Sequence, residues 1–177
     1  MALIIIALLW GVAEATLFFI VPDVLLTWIV LGRQRPVPQC YAAALAGALL
    51  GGTCMYLWGG SDAAAANAVL LHVPAIDGAM LAAATGSLHE HGLSAMLGGS
   101  FAGVPYKIYA VNAAGAGIPL WLFLLYSIPA RLLRWLLAGG LAWLLRRSVL
   151  AHASRRLITT LFVAFWLLFY AVFFALH

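Results

Sequence analysis

Five ionisable residues stand inside otherwise apolar stretches of this 177-residue chain: Glu14, Asp23, Lys107, Arg131 and Arg134. Each costs about 2.5–3.5 kcal/mol at the centre of a membrane helix, so such residues are kept where they are paired, wetted or functional. Their signs are segregated: both acids lie in the first half of the chain and all three bases in the second. Glu14 and Asp23 are nine apart and would point to opposite faces of one straight helix; a break near Pro22 is needed for both to face one cavity. Arg131 and Arg134 are three apart and share a face, with Trp135 beside them. Lys107 follows Pro105 by two, at an expected tip. A basic cluster at the end of a half-helix suits a phosphate, and a carboxylate next to it could exchange a proton.

Other readings of these residues are structural. Arg134 could snorkel to lipid headgroups, Asp23 could cap a helix, and the whole set could act as glue between helices. His89-Glu90-His91 resembles a metal site only superficially, because three adjacent residues on a helix cannot all face one ion; a solvated loop is expected and no metal site. Tyr106 and Tyr109 read as interfacial anchors, and Gly47 and Gly51, a GxxxG pair, as helix packing.

The elements that must position the charges are set by composition. The chain is 66% hydrophobic and 8% charged, against about half apolar and a quarter charged for a soluble domain. Water-soluble, disordered, coiled-coil and disulfide-framework classes are thereby excluded. The apolar stretches are continuous rather than alternating, which selects an all-α integral membrane fold over a barrel. The length suits a single membrane domain over residues 1–177. Cys40 and Cys54 lie in one apolar stretch and give no disulfide or metal pattern. The net charge of +4 does not indicate nucleic acid: Arg33, Arg35, Arg146, Arg147, Arg155 and Arg156 fall in two short loops between apolar stretches, the positive-inside pattern. No basic segment precedes the opening MALIII, so the N-terminus is read as part of the fold.

Four apolar blocks cover residues 1–31, 39–60, 92–145 and 157–177, with an Ala-rich connector over 61–91 read as one or two interfacial helices. As one helix the first block would be about 46 Å long, too long for a hydrocarbon core of about 30 Å. The third would be about 80 Å and must turn back; Pro105, Gly115-Ala116-Gly117 and Pro119 are the candidate turns. If 1–31 and 92–118 were simple spans, the two basic loops would face opposite sides. If both are re-entrant, both loops share one side and the other carries no Lys or Arg. A span through 62–84 would restore parity as well, but its two Asp, its His and its Pro disfavour it. The expected architecture is an inverted repeat of two re-entrant helical hairpins, each followed by a transmembrane helix (1–60 and 92–145), plus a C-terminal transmembrane helix over 157–177. Broken helices meeting near the midplane are a transporter design.

The series of cues resembles the DedA, or VTT-domain (SNARE-associated), membrane proteins, in particular their YqaA-like branch. The cues are Glu14 followed by Pro22-Asp23; Ala46-Gly47, Gly51-Gly52, Tyr56 and Gly59; His91-Gly92, Phe101, Pro105-Tyr106-Lys107 and Ala113-Ala114-Gly115; and Arg131, Arg134-Trp135 and Gly139. They run over residues 8–145. The resemblance implies two opposed re-entrant hairpins in a bacterial cytoplasmic (inner) membrane. It implies transport of a phosphate-bearing lipid, such as a polyprenyl (undecaprenyl) phosphate or a phospholipid, with proton coupling. Glu14 and Asp23 match the family's acidic pair; Lys107 with Arg131 or Arg134 matches the basic partners. The second acid is Asp where the family has Glu, and the second hairpin carries one base, Lys107, where the family more usually has two Arg. The function expected is a lipid flippase or scramblase with no catalytic residues and no cofactor. Its partners are membrane lipids and protons, and a homo-oligomer is compatible with the sequence. The alternatives are a proton-coupled transporter of a small solute or ion and a non-transporting membrane assembly protein.

Overall fold

The computed structural model describes residues 1–32 and 36–176. The basic-loop expectation for Arg33 and Arg35 lies outside the described residues. Those described form helices and connecting turns: α1 (Ala2–Thr16), α2 (Asp23–Leu31), α3 (Val37–Ser61), α4 (Ala63–Leu70), α5 (Gly78–His91), α6 (Ser94–Ala102), α7 (Tyr106–Ala113), α8 (Leu120–Arg147) and α9 (Arg155–Leu176). Three of them, α3, α8 and α9, are long and apolar enough to cross a membrane, which makes this a membrane protein.

Proline sets four of the helix starts. Pro22, Pro36, Pro105 and Pro119 stand at the N-caps of α2, α3, α7 and α8, where a fixed φ is pre-organised and the missing amide costs nothing. The first helix stops six residues before Pro22. Thr16 turns its hydroxyl back onto the carbonyls of Val12 and Ala13, and the chain then doubles back until the Trp10 indole donates to the Ile20 carbonyl at 2.9 Å. The expected break at Pro22 is thus the whole of 17–22, and the break at Pro105 covers 103–105, with Gly103 left-handed at φ 84°. Gly115 lies in a second turn of that half, 114–119, which reverses the chain between α7 and α8.

Glycines fix how the helices run. Gly47 lies against the backbone of Leu8 and Val12, Gly51 against Val12 and Ala15, and Gly11 against Ala44 and Ala48. The constant offset makes α1 and α3 parallel and level at their starts, at backbone contact that any side chain would prevent. Since α1 and α3 point the same way, the chain returns between them through α2. In turn, α3 and α8 are antiparallel: Tyr41 donates to the Trp135 carbonyl while the Tyr56 ring stacks on Phe123.

The second limb of each broken pair crosses to the other half. α2 runs along α8, with Asp23 at Arg134 and Val30 beside Gly139. α7 runs along α3, with Tyr106 at Gly52 and Val111 at Gly59. The first limbs stay home: α1 packs on α3 and α6 on α8.

The connector 61–91 contains two short helices, α4 and α5, separated by a turn at 71–77, so no single helix runs through 62–84. Each is capped by an aspartate: Asp62 accepts from the Ala65 amide at 2.9 Å and Asp77 from the Met80 amide at 2.7 Å. His89-Glu90-His91 is the exposed last turn of α5. This corrects the expected loop, since nothing before Gly92 breaks the helix. Both cysteines are free.

Candidate functional site

The two breaks bring together all five charges of the apolar stretches. Glu14, on the last turn of α1, takes a two-pronged ion pair from Arg131, both guanidinium nitrogens reaching its two oxygens. Asp23, the first residue of α2, pairs with Arg134 at 2.9 Å. Lys107, on the first turn of α7, extends to the break of the first half and donates to the Phe18 carbonyl at 2.8 Å. That carbonyl is free to accept because 17–22 is not helical. Broken helix ends leave main-chain groups for exactly such partners only where protein covers them, and here the partner is an ammonium group.

The pairs differ in burial. Glu14 and Arg131 keep only 6% and 4% of their side-chain surface, whereas Arg134 keeps 27%. Arg131 lies between two rings, with its guanidinium 4.2 Å from the Tyr106 centroid and 5.5 Å from that of Trp135. Tyr106 is held in turn by a 2.9 Å hydrogen bond to the Ser127 hydroxyl and by stacking on Phe123.

With every group ionised, three bases and two acids leave a net charge of +1. Lys107 has no carboxylate within ion-pair distance among the described residues. The buried Nε of Arg131 has no acceptor among them either, a donor whose burial is costly unless something supplies an oxygen. Glu14, Lys107, Arg131 and Arg134 line a cavity of about 100 Å³, room for about three waters at liquid density or one tetrahedral anion. Phe169, Tyr170 and Phe173 of α9 form its outer wall; the Tyr170 hydroxyl accepts from the Val21 amide at 3.0 Å, so the C-terminal helix is seated on the first break.

All five charges of the apolar stretches therefore fall in one site, with the pairing Glu14–Arg131 and Asp23–Arg134. Asp23 makes no side-chain cap. Tyr106 and Tyr109 are buried to 4% and 3% exposure, which corrects the expectation of interfacial anchors. Tyr106 is part of the site, and Tyr109 packs on Gly99. Ser127, the Phe18 carbonyl and the α9 aromatics were not anticipated. One signal pointed to the breaks: Phe18-x-x-Val21-Pro22 recurs as Phe101-x-x-Val104-Pro105, and Gly32 and Pro36 recur at the same spacing as Gly115 and Pro119. Among the described residues no three His, Cys, Asp or Glu side chains come together as a metal site.

In comparisons with known proteins, the chain matches no family model, no curated protein and no solved structure.

Proposed function

We propose that the chain is a lipid transporter that moves a phosphate-bearing headgroup through the buried charge site. The observation that carries this reading is the excess cation: among the described residues Lys107 has no carboxylate within ion-pair distance, and with Glu14, Arg131 and Arg134 it lines a cavity sized for one phosphate. The cavity admits a headgroup and no hydrocarbon chain, so the tail stays in the bilayer. An arriving phosphate competes with Glu14 and Asp23 for the three bases, and a carboxylate so displaced takes up a proton. Binding is thereby linked to proton movement.

The membrane arrangement follows the same logic. α1 and α3 are parallel and level at their starts, which supports α1 and α2 entering and leaving by one face, a re-entrant pair. The exchange of second limbs supports an inverted repeat whose halves rock against each other. Arg146 and Arg147 end α8 at the side where α3 begins, and Asp62 follows α3 at the other. Under the positive-inside rule the arginine side is cytoplasmic, which with the resemblance to DedA proteins gives the bacterial inner membrane as the location. α9, whose surface is almost wholly outside the protein core, would close the outer side of the headgroup site.

The test is headgroup translocation in proteoliposomes, with polyprenyl phosphate and a phospholipid assayed side by side and with or without a pH gradient. Wild type should move at least one of them, and Glu14→Gln, Asp23→Asn, Lys107→Ala and Arg131→Ala should not. A wild-type protein that is folded and moves neither lipid would overturn the proposal. Translocation that ignores both the gradient and the Glu14 and Asp23 substitutions would overturn the proton linkage alone.

A further inference from the structure

A second feature lies outside the charge site. A groove of about 1100 Å³ runs between α2, α3 and α8. Its walls are apolar, with Val30, Leu45, Leu132 and Leu136 along its length, and its polar end is formed by Arg146 and Arg147. Tyr41 also lines it, but its hydroxyl is already committed to the Trp135 carbonyl. Among the described residues no acidic side chain lines it.

We infer that this groove holds an acyl chain of an anionic phospholipid, with the lipid phosphate at Arg146 and Arg147. Three observations select that occupant. Charge is the first: two guanidinium groups sit at one end, Arg146 anchored by donating to the Leu150 and Ala151 carbonyls and Arg147 propped over the Trp143 ring at 5.2 Å, an exposed cation beside an aromatic at the level where both are favoured. Length is the second. From Leu132 to Arg147 a helix rises about 22 Å, close to one leaflet, about 15 Å of hydrocarbon plus about 6 Å of headgroup. The third is direction. The groove's apolar end, at Leu132, is one residue from Arg131, so a lipid seated there has its chain at the depth of the charge site and its phosphate at the surface. A second copy of this chain is a poorer occupant, because the basic end would meet the same bases, Arg155 and Arg156 included.

The groove would serve as the loading position for the headgroup site. To that extent the inference rests on the transport reading, although occupancy of the groove can be read without transport.

Gly140 provides a clean perturbation. It lines the groove, and a Cβ built on it meets nothing within 4 Å, so a large side chain fills the groove without moving backbone. Neighbouring Gly139 is unsuitable because its Cβ would fall on the Tyr41 hydroxyl. The whole chain is reconstituted in nanodiscs containing phosphatidylglycerol or phosphatidylcholine with a diazirine at the end of one acyl chain, photolysed, and mapped by peptide mass spectrometry. Adducts are expected on the peptides around Leu132 and Leu45, stronger with phosphatidylglycerol. Arg147→Gln should lower that labelling by about fivefold, and Arg147→Gln with Arg146→Gln by about thirtyfold. Gly140→Phe should abolish it, whereas Gly98→Phe, another glycine with open space around its Cβ, should leave it unchanged. Equal labelling by the two lipids, or wild-type labelling in Gly140→Phe, would overturn the inference. If wild type labels in the groove yet moves no lipid, the transport reading fails and the groove assignment stands.

Discussion

The two ion pairs give a graded prediction. Glu14→Leu leaves the Arg131 guanidinium buried at 4% exposure with no carboxylate; breaking a buried pair from one side costs about 3–5 kcal/mol. Asp23→Leu leaves Arg134 unpaired, but that side chain is 27% exposed and reaches water or headgroups by bending outward. The cost should then fall nearer the surface range, about 1 kcal/mol. For a chain of this length about 1 kcal/mol moves a melting temperature by 2–4 °C, so Glu14→Leu should lower it by about 6–20 °C and Asp23→Leu by only a few degrees. The double variant Glu14→Leu with Arg131→Met removes both buried charges and should recover most of the loss, because an apolar replacement of a buried pair is often neutral. The assay is fluorescence-detected unfolding of detergent-purified protein, with one heating rate for all variants. Translocation should stay absent in the double variant even where stability returns. Equal losses for the two single variants, or a double variant no more stable than Glu14→Leu, would refute the reasoning that burial sets the cost. Recovered translocation in the double variant would reduce the pair to structural glue.

Two further outcomes follow from the packing. Gly11→Val should unseat α1 from α3, since its side chain would fall on the Ala44 carbonyl, whereas Gly51→Ala meets Val12 and Ala15 at 2.7 and 2.9 Å and should cost only about 1–3 kcal/mol; their melting temperatures should fall in that order. Tyr106→Phe should lose only the Ser127 hydrogen bond, about 1 kcal/mol, and keep the ring against Arg131, while Tyr106→Leu should lose both; thermal unfolding of the two variants checks the difference.

Much of the site was legible because a charge in an apolar stretch is conspicuous and its sign is printed in the sequence. Glu14, Asp23, Lys107, Arg131 and Arg134 were identified without any contact being known. Which acid meets which base was not legible, because Arg131 and Arg134 lie on one face and the choice depends on how α2 crosses to α8. The end of α1 at Thr16 was hidden for a related reason: Leu17, Phe18, Phe19 and Ile20 would all continue a helix. What stops them is remote, the Trp10 indole on Ile20 and the Lys107 ammonium on Phe18. Tyr106 read as an anchor because tyrosine is enriched at membrane interfaces; its burial depends on Gly52, fifty-four positions earlier, leaving room for the ring.

The exchange of second limbs bears on how the protein is made. Glu14 and Asp23 are synthesised 117 and 111 residues before the arginines that neutralise them. At about 5–20 residues per second, the ribosome delivers those partners only about 6–23 s after the acids have emerged. During that interval the first half cannot close, because the helix that α2 packs along does not yet exist. The early acids must wait at the water boundary or inside the insertion machinery. A chain cut in the 61–91 connector should therefore assemble only when both pieces are produced together.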